Sequence, residues 1–484
     1  MADSDSKLKS NSNVKRSEDF NEWYNQIVET ADLCDKRYPV KGMNIWRPYG
    51  LKAMKNIDKL IHAEMEHTNH EEVMFPLLIP EGLFQKEADH IKGFGGEVYW
   101  VTHGGFNELD ERLLLRPTSE TAMYSIFPLW IRSHADLPLK TYQIVNTFRY
   151  ETKMTRAFMR VREIHFFEAH TCHADFEDAE AQIKEDLDIM KSFFANLCMP
   201  YQANRRPDWD KFAGADYSIG IDCLMPSGRT LQMGSCHQYK TNFSKPYGIT
   251  YEDVNGEQKF CHQTTYGMSE RLLGGVIGMH SDDNGLMFPK LVAPIQVVIV
   301  PILFKGKEEP VLKACREVEA ELSAAGIRVK FDERDITAGS KYYEWEQKGV
   351  CMRIEVGPRD VESGAVMTVR RDNRQKEVVK RAELVEQVNA ILDAYDEVLW
   401  QCANGNLESN THRANVIEAV EGKSGILELP WCGEEPCGLA VEERLDVSTL
   451  GIPTEEVAAR IGGGEVCPVC GKPAVSWCRF ARTY

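Results

Sequence analysis

Three stretches between residues 113 and 290 gather charge, hydroxyl and glycine in patterns that could do chemistry. The first is LLLRPTSETAMY (113–124), with Thr118 two residues before Glu120. The second, FRYETKMTRAFMRVREIHFFEAHT (148–171), carries Arg149, Lys153, Arg156, Arg160 and Arg162 among aromatic residues. The third is YGMSERLLGGVIGMHSDDNGLMFP (266–289). Guanidinium groups fixed in space orient and stabilise anions such as carboxylates and phosphates. Taken singly, each stretch also has an ordinary reading. An arginine in an FRYE run can be a paired strand residue, and the basic second stretch can be a solvated loop. Gly274, Gly275 and Gly278 fit close helix packing better than a phosphate cradle, because they match neither GxxxxGK[ST] nor strand–GxGxxG–helix. A fourth group is sharper. Cys432 and Cys437, then Cys467 and Cys470, form two pairs about thirty residues apart. Four thiolates in that spacing suit a closed, tetrahedral and therefore structural Zn²⁺ site. Cys478 lies close by but lacks a partner at such spacing.

Elements must bring these residues together. From Ser17 to about Leu33, Phe20, Trp23, Tyr24, Ile27, Val28 and Ala31 recur at three- and four-residue steps, which predicts an amphipathic helix. A mixed α/β region follows to about residue 290. The run Ala293–Phe304 (APIQVVIVPILF) is too short to cross a bilayer, and its β-branched residues predict a strand buried on both faces, as in a parallel sheet. EEPVLKACREVEAELSAAG predicts a helix ended by Gly326, IRVKFDER a strand, KYYEWEQKG a helix, VCMRIEVGP and AVMTVRR strands, and RAELVEQVNAILDAYDEVL a closing helix. The polar stretch NGNLESNTHR is expected to separate this α/β unit from a last piece holding five of the 14 cysteines. The divisions expected are a loose tail (1–16), a catalytic domain (17–290), an α/β domain (291–403) and a small α+β cysteine domain (404–484), close to the three folded domains that 484 residues suggest. With 74 acidic against 57 basic residues the net charge is −17, which excludes a bulk polyanion binder but not local basic patches. Few, mostly isolated cysteines and an N-terminus without an apolar core point to the reducing cytoplasm and to no membrane association.

Read together, the three stretches resemble, in order, the three signature motifs of class II aminoacyl-tRNA synthetases. The wording RPTSE, FRYE and SER–LLGG–HSDDNGL resembles the prolyl-tRNA synthetase family, in its archaeal and eukaryotic-type branch. The resemblance implies an antiparallel-sheet catalytic domain, an α/β anticodon-binding domain and a C-terminal zinc domain. It implies ATP as substrate, Mg²⁺ and Zn²⁺ as metals, L-proline and tRNA(Pro) as further substrates, and a homodimer formed through motif 1, here around 70–80 (HEEVMFPLLIPEG). Attack of an amino acid's carboxylate on the α-phosphorus of ATP brings two anions together, so positioned cations matter more than a general base. By resemblance Arg149 bridges α-phosphate and carboxylate, and Arg271 holds the γ-phosphate. Glu151, expected on the same strand face as Arg149, accepts from the adenine amino group or orders a metal, and Phe158 offers the adenine an apolar face. Arg160, Val161, Gln232, Ser235 and Ser269 complete the implied ATP contacts.

For the amino acid, Thr118 and Glu120 are implied to take the two N–H donors of a cyclic secondary ammonium. Phe166, Glu168, His170 and His237 are implied to line the ring side, and Phe166 departs from the family pattern, in which many relatives carry Trp. Residues 370–381 (RRDNRQKEVVKR) hold six basic and two acidic residues in the domain whose counterpart reads the anticodon. There Glu346, Arg353 and Arg374 are implied to contact bases. In that branch of the family the chain ends in Tyr, as here at Tyr484, and the terminal carboxylate reaches toward the active site. Two rivals remain: a serine- or threonine-specific sister enzyme, or a silent paralogue that only binds tRNA or protein. No long helical arm opens the chain, and Cys223, Cys236 and His237 do not lie in a convincing catalytic zinc pattern. About 100 residues separate motifs 2 and 3, too few for an inserted editing domain.

Overall fold

The computed structural model describes residues 14–86 and 96–484. Most of the expected tail (1–16) lies outside the described residues. Within it, Arg16 is tied down, its backbone N–H donating to Asp283 and its guanidinium to the Ser281 carbonyl at 2.6 Å. Helix α1 (Phe20–Thr30) follows the expected periodicity, burying Phe20, Trp23, Tyr24, Ile27 and Val28. Asp19 caps its N-terminus by accepting from the backbone N–H groups of Asn21 and Glu22. Burying side chains of this size contributes roughly 1.5–3 kcal/mol each before ordering entropy.

The catalytic region is a long twisted sheet with helices on one face. In chain order come α2 (Pro48–His67), β1 (Glu71–Glu72), β2 (Leu139–Phe148), β3 (Glu163–His173), α3 (Phe176–Asn196), β4 (Gln202–Arg205), β5 (Tyr217–Leu224), β6 (Thr230–Lys240), β7 (His262–Ser269) and α4 (Arg271–His280). A separate small sheet pairs Leu78–Pro80 and Tyr99–Gly104 with Asn107–Leu115. The three central strands β6, β7 and β3 run antiparallel, with Ser235 opposite Gly267 and Ser269 opposite Phe166. This register is what brings residues from distant parts of the chain to one face. The glycines of α4 serve packing, as expected: a Cβ on Gly274 would stand 2.6 Å from the Phe158 carbonyl oxygen.

The second unit comprises β8 (Val297–Pro301), α5 (Glu308–Ala324), β9 (Val329–Phe331), α6 (Ala338–Gln347), β10 (Met352–Val356), β11 (Ala365–Arg370), β12 (Lys376–Lys380) and α7 (Leu384–Ser409). Strand β8 is fully buried and pairs in parallel with both β9 and β10, the environment its β-branched run predicts. One boundary differs from expectation. Helix α7 continues through NGNLES to Ser409, so that polar stretch is helix rather than linker. Its apolar side stays engaged, with Leu399 and Ala403 buried, which carries the helix across residues with weaker intrinsic propensity.

The last unit holds β13 (Thr411–Arg413), β14 (Ile426–Trp431), α8 (Glu435–Leu445), β15 (Ser448–Pro453) and β16 (Ser476–Ala481). Its strands join the catalytic sheet. Among the described residues, eleven strands run in the order β13-β14-β16-β15-β4-β5-β6-β7-β3-β2-β1. The seam is short, with Ile452 opposite Arg205 and Pro453 opposite Asn204. No described helix is long and apolar enough to cross a membrane.

Candidate active site

Strands β3, β5, β6 and β7, the segment that follows β2 and the start of α4 enclose a cavity of about 350 Å³. Thr118, Glu120, Arg149, Glu151, Arg160, Val161, Phe166, Glu168, Gln232, Ser235, His237, Ser269 and Arg271 all line it, so the three motifs meet in one place. Two expected residues are not at its wall. The Phe158 ring is buried, 4.7 Å from Trp46 centroid to centroid, on a backbone with φ of +61°. The core holds it, so no apolar face is offered from this side chain. His170 sits fully buried behind Glu168. Arg149 and Glu151 do not share a strand face either, because β2 ends at Phe148. The chain turns there, with the Glu151 N–H donating to the Arg149 carbonyl at 2.8 Å.

One end of the cavity is acidic. The Thr118 hydroxyl lies 2.6 Å from Glu120 Oε2 and 3.1 Å from Glu168 Oε2, so it sits between two buried carboxylates. Tyr239 donates to Glu120 Oε1 at 2.9 Å. Glu168 accepts from the Ser119 backbone N–H and from Gln143, and His170 lies 3.3 Å from it. Burial opposes charge on Glu168, but the His170 hydrogen bond and charge outweigh it and hold the carboxyl below its usual range. Burial likewise works against a charged His170, yet Glu168 and Glu120 raise it above the ordinary histidine value. Both shifts favour the charged forms of this buried pair, which backs one wall. His237 behaves oppositely. Burial, reinforced by His170, Arg206 and Arg149, lowers it to about 3, so it is neutral, with its two ring nitrogens 2.7 and 2.9 Å from the hydroxyls of Ser218 and Ser235.

The other end is basic. Arg149 Nε donates to the Pro117 carbonyl at 3.2 Å, and its guanidinium carbon lies 5.9 Å from the Phe166 ring centre. Arg271 Nε donates to the Met159 carbonyl at 2.8 Å and Nη1 to the Gln232 carbonyl at 3.3 Å. Burial together with the charges of Arg149 and Arg160 lowers Arg271 to about 10, a sign of cations crowded without enough counter-charge. Arg160 stands 3.8 Å from Glu151. Glu270, next to Arg271 and also lining the cavity, is raised by burial to about 7. The arrangement can hold an anion with several negative charges at one end and a small cationic group at the other.

Sequence reasoning missed several wall residues, Phe212 and Arg206 among them, and Tyr239, which supports Glu120 without reaching the wall. Phe212 lies 4.6 Å from His237 ring to ring, and Arg206 also lines the cavity. Both belong to RRPDWDKFAG, where no spacing signals chemistry. Tyr239 was findable, since it follows Ser235 and His237 at the two-residue step of one strand face.

Two further clusters are as expected in composition. Ligand atoms of Cys432, Cys437, Cys467 and Cys470 all lie within 4.8 Å of one another, with the sulfurs of Cys432 and Cys470 3.7 Å apart. Tetrahedral thiolates at about 2.3 Å from zinc would sit about 3.8 Å apart, so the cluster is compatible with a zinc site. Cys478 is buried elsewhere and is not part of it. In the second unit, Glu346, Arg353 and Arg374 line a cavity of about 320 Å³ together with Tyr342 and Trp345. Tyr484 does not line the cavity where the three motifs meet but a neighbouring one that shares Gln232 and Arg271, its hydroxyl 2.6 Å from Ser227.

Fold and site together define a class II aminoacyl-tRNA synthetase, and a family model described as the tRNA synthetase class II core domain (G, H, P, S and T) matches residues 99–280. An anticodon-binding domain model matches 296–391, and a prolyl-tRNA synthetase C-terminal model matches 414–484. The proline–tRNA ligase of Thermococcus kodakarensis is 59% identical over 97% of this chain and 99% of the relative, and that of Methanosarcina mazei 48% identical over 96% and 97%. A solved Giardia lamblia prolyl-tRNA synthetase in complex with prolyl-adenylate is 37% identical, with TM-score 0.92, covering 97% of this chain and 99% of that one. A Cryptosporidium parvum structure with halofuginone and AMPPNP is 33% identical at TM-score 0.92, covering 97% of this chain and 96% of that one. The chain belongs to the prolyl-tRNA synthetase family.

Proposed function

We propose that this chain is a proline–tRNA ligase that activates L-proline with ATP, releasing pyrophosphate, and transfers the prolyl group to the 3′ end of tRNA(Pro). The carrying observation is the cavity with opposed ends: crowded Arg149, Arg160 and Arg271 at one, and Thr118 between Glu120 and Glu168 at the other. The basic end suits the triphosphate and the developing charge on the α-phosphate; the acidic end suits the secondary ammonium of proline. Arg149, at the basic end but within electrostatic reach of Glu120 and Glu168, is assigned to the carboxylate and α-phosphate, and Arg271 to the γ-phosphate. Gln232, Ser235 and Ser269 serve the nucleotide. Phe166, neutral His237 and Phe212 bound the pyrrolidine ring, and His170 keeps Glu168 ionised and in place. Segment 174–261, between motifs 2 and 3, holds α3, β4–β6, a one-turn helix (Ser244–Tyr247) and a short hairpin.

Glu151 would help to hold Mg²⁺, which would neutralise phosphate charge. Cys432, Cys437, Cys467 and Cys470 would hold a structural Zn²⁺. Glu346, Arg353 and Arg374 are assigned to the anticodon. The divisions 17–290, 291–409 and 410–484, the second boundary moved from 403 to the end of α7, are proposed as folding units, the last sharing its sheet with the first. Strand β1 at the sheet edge, beside the strongly exposed Met74, supports a homodimer through 70–80. The cytoplasm is the proposed location.

Charging of a tRNA(Pro) transcript with labelled proline tests the reading, with serine and threonine as the sister-enzyme arms. Proline attached alone supports it; serine attached, or nothing, overturns it. Replacing Cys467→Ser should release zinc from the purified protein, read by metal analysis, and a full equivalent retained would refute the four-thiolate site.

A further inference from the structure

A line of polar groups, exposed at Arg413 and buried from Glu428 inward, runs from the C-terminal unit into the catalytic cavity. Arg413 Nε donates to Glu428 Oε2 at 2.7 Å, and Arg479 Nε donates to Glu428 Oε1 at 2.9 Å. Arg479 Nη1 donates to Asn204 Oδ1 at 3.1 Å, and Asn204 Nδ2 to Asp222 Oδ2 at 3.1 Å. Arg206 Nη2 then donates to Asp222 Oδ1 at 2.7 Å. The side chains of Glu428, Arg479, Asp222 and Arg206 are no more than 7% exposed. Arg206 is held a second time from the same side, its Nη1 donating to the Leu450 carbonyl in β15 at 2.7 Å.

At its far end the line reaches the amino-acid pocket. Arg206 lines the cavity beside Asp210, Lys211 and Phe212. The Ser218 carbonyl accepts the Arg206 N–H at 2.8 Å, while the Ser218 hydroxyl accepts the Phe212 N–H at 2.9 Å and lies 2.7 Å from His237 Nδ1. One residue thus ties Arg206, Phe212 and His237 together. The guanidinium lies across Gly220 in β5, where an added Cβ would stand 2.2 Å from Arg206 Nη2. Apolar packing could join two domains equally well; buried charges are tolerated only when each is paired, and paired they fix a single geometry.

We propose that Arg206 is a positioning residue of the amino-acid pocket, clamped by the C-terminal unit through Arg479, Asn204, Asp222 and the Leu450 carbonyl. Through it the cysteine-bearing unit sets the wall formed by residues 207–212. This rests on the proposed function for what the cavity binds.

The test is proline-dependent ATP–pyrophosphate exchange by the full chain, comparing wild type with Arg206→Met, Arg206→Lys, Gly220→Ala and Arg479→Met. Arg206→Met, Gly220→Ala and Arg479→Met should raise the KM for proline about tenfold while the KM for ATP stays within about twofold, and Arg206→Lys should recover part of the loss. Gly220→Ala removes no charge and Arg479 lies outside the cavity, so either decides the matter if Arg206→Met does not fold. An unchanged KM for proline in both, or parallel rises for proline and ATP, overturns the inference. A wild type without proline-dependent exchange instead overturns the function itself.

Discussion

In the catalytic cavity Arg271 is anchored by two backbone carbonyls, those of Met159 and Gln232, whereas in the second cavity Arg374 is anchored by Glu346 and Arg353 by Glu355. Carbonyls orient a guanidinium without cancelling its charge; a carboxylate does both. Crowding of Arg149 and Arg160 near Arg271, added to burial, lowers it to about 10, and an incoming polyphosphate would relieve that repulsion. At the other site burial works against charge on Glu355, yet the Arg353 hydrogen bond and charge hold it below the ordinary carboxyl value. In the second cavity Arg374 and Arg353 are thus each paired with a carboxylate, which fixes donors and acceptors in the way the proposed reading of base edges requires. On the proposed roles, the same residue types serve an anion in one place and a hydrogen-bond pattern in the other, according to what anchors them.

Arg271→Ala should break the catalytic side most severely, removing about 2.7–4 kcal/mol of transition-state stabilisation, or about 10²–10³ in exchange rate. Near wild-type exchange would show that the crowded cations are incidental; Arg149→Ala should match it. Arg374→Ala should cost about 1–3 kcal/mol in tRNA charging and leave proline-dependent exchange unchanged. A fall in both assays would erase the distinction between the cavities. The finest probe is pH. Glu270 next to Arg271 is raised from 4.5 to about 7 by burial. Below 4.5 both folded and unfolded states are protonated there; between 4.5 and about 7 only the folded state keeps the proton, so its contribution to stability falls as pH rises and levels off above 7. Glu270→Gln should abolish that decline relative to wild type in pH-dependent unfolding. Parallel curves would mean that Glu270 is ionised throughout and already neutralises Arg271.

Periodicity exposed α1 and nearly all of the α/β unit, because each element there carries its own hydrophobic pattern. Motif wording exposed the cavity residues, since Arg149 and Arg271 each sit in a recognisable run. What sequence could not show depends on long-range contact. Helix α7 continues through NGNLES because Leu399 and Ala403 find a core to pack on. Phe158 was assigned to the cavity by its place in the motif, but Trp46 and α4 hold it in the core. Arg206 and Phe212 lie in RRPDWDKFAG, whose importance emerges only when β15 adds to β4 and closes the sheet behind them.

The most direct measurement is amino-acid-dependent exchange of labelled pyrophosphate into ATP by the purified chain, run with each of the standard amino acids in turn. Exchange driven by proline far above all others is the predicted result. Exchange driven by another amino acid, or by none, would contradict the claim that opposed arginine and carboxylate ends of one cavity activate proline.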